Sequence, residues 1–96
     1  MSNYRDNATP SSIVSAAFGV EVVTLADDVG QGGDQECREV IIWPETGKSV
    51  SIGESASAAA SGPVLPAGAI TIPISNTNKL YFNGTTGDDV YILWRS

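Results

Sequence analysis

Residues 65–94 constrain the fold more than any other stretch of this chain. They hold three short apolar runs, 69–74, 79–82 and 89–94, separated by Asn76-Thr77 and by the turn residues 83–88. Ile70, Ile72 and Ile74 recur at every second position, the period that places one face of a β-strand against a core. Short alternating runs joined by turn residues are the pattern of an antiparallel β-domain. Upstream, 19–26 is rich in β-branched residues, although Val22-Val23 interrupts its alternation, and 37–43 and 48–53 follow, the last with Val50 and Ile52 on one face. About six strands spaced by turn signals predict a small all-β fold, an antiparallel β-sandwich or jelly-roll-like barrel. Pro73 has no N–H to donate, so its strand belongs at a sheet edge, or a ladder bond is missing there.

The intervening segments read less clearly. Residues 27–36 carry three glycines and four acids, which suit neither helix nor strand and predict a loop. Residues 54–66 admit two readings. The alanines allow a short helical turn, but the serines, Gly53 and Gly62-Pro63 favour a compact loop instead, of a length that often serves as a contact surface. Val40 to Trp43 is continuously apolar, as expected of a strand covered on both faces. Residues 1–17 read as an extended N-terminal arm ahead of a domain at 18–96. The arm is either a frayed tail or a segment that orders on a neighbouring subunit or partner, with Tyr4, Arg5, Ile13 and Val14 as its contacts.

A chain of 96 residues is one domain at most. At that size it buries only about 60–70% of its unfolded surface, so its stability is modest without help. Cys37 is the single cysteine and there is no histidine. That excludes an intrachain disulfide, leaves a cysteine nucleophile without an imidazole base, and gives zinc no ligand set. Cys37 heads an apolar run and reads as a small buried hydrophobe. Oligomerisation is the remaining source of stability. The net charge of −6 and pI near 4.2 oppose binding to phosphate backbones and anionic membranes. No apolar run is long enough to span a bilayer. The chain opens with polar residues where a signal peptide needs an apolar stretch, so synthesis in a cytosol is expected.

Four constellations invite a chemical reading, and each has a plainer one. Asp27, Asp28, Asp34 and Glu36 are oxygen ligands of the kind calcium takes, but their spacing is not that of an EF-hand, and a solvated acidic loop accounts for them. Asp88-Asp89 with Glu45 or Glu54 would be the carboxyl pair of a glycosidase, yet so small a chain has little material for a cleft and Asp is ordinary in turns. Asn83-Gly84-Thr85 matches a glycosylation sequon and equally an Asn-Gly hairpin turn with positive φ. Trp43, Trp94, Tyr81 and Tyr91 make either a sugar-binding platform or core and subunit interface. Tyr81 and Tyr91 have parity opposite to their apolar neighbours, so they point to solvent or to another chain. The glycine-rich loop is not followed by Lys-Ser/Thr, so phosphate cradling is unsupported. No catalytic residue, metal or cofactor is assigned.

The order of these elements resembles a known family. Residues 49–53, a small-residue loop, Leu65-Pro66-Ala67-Gly68, an alternating strand, residues 78–84 and residues 87–94 are similar in sequence and spacing to small β-sandwich virion proteins of tailed bacteriophages, with 37–43 in the place of their first central strand. The likeness covers roughly 37–95. It implies a virion structural protein, often a trimer: a capsid decoration (cement) protein, a head fibre, or a tail or baseplate part. The expectation is a decoration protein made in the bacterial cytoplasm and carried on the capsid exterior. It would bind the major capsid protein through Tyr4, Arg5, Ile13 and Val14, and form a homo-oligomer through Tyr81, Tyr91 and Trp94. A tail or baseplate adaptor and a carbohydrate-binding fibre module are the alternatives.

Overall fold

The computed structural model describes residues 17–96. The expectations placed on the arm, including the contacts Tyr4, Arg5, Ile13 and Val14, lie outside the described residues, apart from the arm's last residue, Ala17. The described chain runs β1 (Phe18–Thr24), β2 (Val29–Gln31), β3 (Glu39–Pro44), β4 (Ser51–Gly53), α1 (Ala56–Ala60), β5 (Ile70–Pro73), a 3-10 turn (Thr77–Lys79), β6 (Tyr81–Asn83) and β7 (Asp89–Arg95). It is an all-β sandwich. One antiparallel sheet has four strands in the order β1-β7-β3-β5, and the other has three in the order β2-β6-β4.

Alternation decides what lies between the sheets. In β7, Val90 and Ile92 are fully buried; in β3, so are Val40 and Ile42; β1 contributes Val23. Register brings them side by side, with Ile42 opposite Ile92, Val23 opposite Val90, and Val40 opposite both Trp94 and Ile72. Phe82 of β6 enters from the other sheet, and Leu25, Val50, Leu65 and Leu80 close the core from the connections. Burying each such side chain contributes about 1.5–3 kcal/mol. The Val22-Val23 pair does not break the alternation of β1: Val23 points in and Val22 points out.

Three local expectations are corrected. Residues 27–36 are not all loop, because they contain β2, a seventh strand. Asp27 and Asp28 both adopt positive φ (53° and 68°), which makes a two-residue hairpin turn between Ala26 and Val29, closed by Ala26 N–H to Val29 O at 2.8 Å. Aspartate tolerates this backbone, so no Asn-Gly is required. Residues 56–60 form α1 where the sequence favoured a loop. Ser55 caps it by accepting the Ala58 N–H at 3.1 Å, and Ala59 is fully buried over Gly53, where a Cβ would meet the Ala59 nitrogen at 2.4 Å. Third, the turn at 83–88 takes its positive φ at Gly87 (97°) and not at Asn83-Gly84. Asn83 ends β6, and a side chain on Gly84 would strike Leu25 at 2.9 Å.

β5 is an edge strand. Ile74 N–H donates to Arg38 O at 3.1 Å, so alternation turns the nitrogen of Pro73 away from β3 toward the free edge, where its missing donor costs no ladder bond. At the opposite edge, Ser96 N–H donates to Ala17 O and Leu25 N–H to Asp88 O, both at 2.9 Å. The same alternation directs the backbone groups of Phe18, Val20, Val22 and Thr24 outward.

Truncating Phe82 to alanine removes the largest fully buried side chain and is expected to destabilise the domain by about 3–5 kcal/mol, measured by denaturant unfolding. Ile72→Asp, which sets an unpaired carboxylate against Val40, is expected to abolish folding. A well-dispersed NMR spectrum from that variant would show that the inner face of β5 has been assigned wrongly.

Candidate protein-interaction surface

The outer face of the four-stranded sheet is the most unusual surface of the molecule. In an antiparallel sheet with one solvated side, outward positions are normally polar. Here β1 presents Phe18, Val20 and Val22, which are 67%, 58% and 52% exposed. Beside them β7 presents Tyr91 and Leu93, and β3 presents Ile41 and Trp43, all half-buried by their neighbours in the sheet. Cross-strand register groups these residues into rows. Val22, Tyr91 and Trp43 form one row, and Val20, Leu93 and Ile41 the next. Tyr91 and Trp43 stack with ring centroids 5.7 Å apart and planes inclined by 23°.

Charged groups lie at the two ends of this apolar field, and Thr71 of β5 borders it beside Ile41. At one end Arg95 pairs with Glu39 at 3.1 Å, beside Phe18. At the other, Asp89 accepts the Thr24 hydroxyl at 2.6 Å, and the Asp89 N–H donates to the Glu45 carboxylate at 3.2 Å. No described element packs over the field. The smaller sheet differs, because Ile52 faces the core and Gly53, on the opposite side, is covered by α1.

The structure separates the three aromatics assigned to an oligomer interface. Tyr91 lies at the centre of the apolar face. Tyr81 is on the other sheet, in β6, and lines an open groove of about 420 Å³ with Glu54, Ile74, Asn78 and Lys79. Trp94 is turned inward by the alternation of β7 and packs against the core and over Gly19. Phe18, Val20, Val22 and Leu93 were not among the candidates. The signal that finds Leu93 is the double parity of β7, whose odd and even positions are both largely apolar, and the period-two run Phe18, Val20 and Val22 marks the outward face of β1.

The acidic loop residues hold the fold together. Asp28 accepts from both the N–H and the hydroxyl of Thr86 at 3.2 and 3.0 Å, clasping the β1–β2 turn to the 84–88 turn. Asp34 accepts from the Asn76 amide at 2.9 Å. Asp88 is buried and paired with Lys48 at 3.6 Å. Among the described residues, no three acidic, cysteine or histidine side chains are grouped to hold a metal ion. Nor, among the described residues, is any helix long and apolar enough to cross a membrane. Comparison with known protein families, with curated proteins and with solved structures finds no match to this chain.

Cys37 is half-buried, and its thiol faces the Ile74 carbonyl at 3.2 Å. Burial pushes its pKa above the ordinary thiol value of 9.0. The thiolate is the reactive form, so labelling by a disulfide reagent is expected to be slow near neutral pH, slower than for the unfolded chain, and to rise steadily as pH is raised. The stability linked to this proton is present below the thiol's unfolded pKa and is lost as pH rises through the folded one. Fast labelling of the folded protein at pH 7 would show the thiol to be open.

Proposed function

We propose that this chain is a virion structural protein of a tailed bacteriophage, a capsid decoration protein that adheres to the outer surface of the assembled shell and stabilises it. The observation that carries the reading is the outward apolar field on a small closed sandwich, a surface suited to lasting contact with other proteins. The element order that resembles phage β-sandwich virion proteins supplies the location. The mechanism is mass action: a ligand that bridges only the assembled shell stabilises it by its binding free energy. Oligomeric copies add avidity without any single strong contact. No bond is made or broken in this account. The arm, with Tyr4, Arg5, Ile13 and Val14, is the proposed contact to the major capsid protein.

One observation favours a different reading. The groove beside Tyr81 joins an aromatic ring to a carboxylate, an amide and an ammonium, the groups a carbohydrate-binding fibre module uses. A glycan array separates the two, with no binding expected if the chain is a decoration protein.

The direct test is co-sedimentation of the purified protein with expanded shells assembled from the major capsid protein of the same genome. Binding at a fixed ratio to capsid subunits, with a raised melting temperature of the shell, is expected. Protein left in the supernatant at saturating concentration would overturn the capsid reading.

A further inference from the structure

We propose that the outer face of the four-stranded sheet is covered by the same face of a second copy of this chain, related by a two-fold axis that lies in the interface and crosses the strands at the level of Ile92. This inference stands on the geometry of the face and is independent of the capsid reading.

The argument begins with four rows of outward side chains. On β1, β7 and β3 they are Thr24, Asp89 and Glu45; Val22, Tyr91 and Trp43; Val20, Leu93 and Ile41; and Phe18, Arg95 and Glu39. An axis between the second and third rows, perpendicular to the strands, reverses the strand direction of the partner while keeping each strand over its own counterpart. The second row of one copy then lies on the third row of the other. That sets a ridge of stacked aromatics, Tyr91 and Trp43, on an aliphatic floor of Val20, Leu93 and Ile41, twice over by symmetry. Bulky rows against low rows is how two sheet faces interdigitate.

Charge follows the same symmetry. The operation brings the first row over the fourth, so Asp89 of each copy meets Arg95 of the other, while Glu45 comes over Glu39, whose charge Arg95 already offsets within its own chain. The Arg95 side chain is 62% exposed, so it is accessible to a second carboxylate besides Glu39. A three-fold arrangement of parallel faces, the state the resemblance favours, would gather like ends together and lay ridge beside ridge. An isologous contact needs a self-complementary patch, and this face has one. The sequence signature agrees, since β3 and β7 are apolar on both parities, as in strands with cover on both sides. Four rows about 6.6 Å apart on three strands about 4.8 Å apart make a small footprint. The pairing is therefore concentration-dependent.

Analytical ultracentrifugation of the full chain, over roughly 1 µM to 1 mM, tests the proposal. The expected result is a monomer–dimer equilibrium. Val20→Lys, at an outward position away from the core, is expected to give a monomer with an unchanged melting temperature. Arg95→Glu and Asp89→Lys each set like charges opposite one another and are expected to weaken pairing at least about tenfold, the loss of one charged contact. A one-to-one mixture of those two variants is expected to recover pairing as a heterodimer, because both contacts between positions 89 and 95 are again of opposite sign. Four results would overturn the inference. They are a monomer at every concentration (the outcome if residues 1–16 of the same chain cover the face), a trimer mass, self-association untouched by Val20→Lys, and no recovery in the mixture.

Discussion

The position of β7 between β1 and β3 is the constraint on which the rest of this molecule depends. A strand paired on both sides has its register set twice, and a slip of one residue would exchange its faces. Here both pairings agree, because Ile92 lies opposite Glu21 on one side and Ile42 on the other. The agreement fixes Val90, Ile92 and Trp94 as core and sends Tyr91 and Leu93 outward. Once that is set, β1 and β3 have no freedom in which side chains they bury. The inner face meets Phe82 from the smaller sheet, and the outer face is left apolar.

Much of this was legible from residue order. The period-two runs around Val50 and Ile70, the edge position forced by Pro73, and the outward parity of Tyr81 and Tyr91 all follow from spacing alone. What escaped was set by tertiary contact. The strand inside the acidic segment depends on two consecutive aspartates taking a left-handed backbone, which is held by the bonds from Thr86 to Asp28, a residue 58 positions away in sequence. The helix over Gly53 exists because a missing side chain lets Ala59 approach the sheet, whereas composition in that stretch favours a loop. The face carrying Phe18, Val20 and Val22 was missed for a different reason. A pair of adjacent valines looks like a broken pattern, whereas Val23 turns in to the core and Val22 joins Phe18 and Val20 in one outward row. Trp94 shows the converse: an aromatic near the chain's last residue, read as surface, belongs inside by the parity it shares with Ile92.

The two faces of the sandwich are thus treated unequally. The smaller sheet carries its own cover in α1, and its connections are fastened by side-chain bonds such as those of Asn76, which accepts from the N–H groups of Gln35 and Asn78 at 3.1 and 2.9 Å. The larger sheet carries none among the described residues. A molecule of this kind has a finished side and an unfinished one. That division suits a part that works by joining, and it is the physical ground of the proposed adhesive role.

The two margins of the larger sheet are unequal as well. β1 offers the outward backbone of four residues, whereas β5 is short and turns a proline nitrogen outward. Growth of a continuous ribbon by strand addition needs an open margin on both sides of every molecule. Among the described residues the larger sheet has one such margin, at β1, so edge pairing through it ends with a single closed pair. Among the described residues, the larger sheet thus gives crowded molecules no continuous route to a fibre.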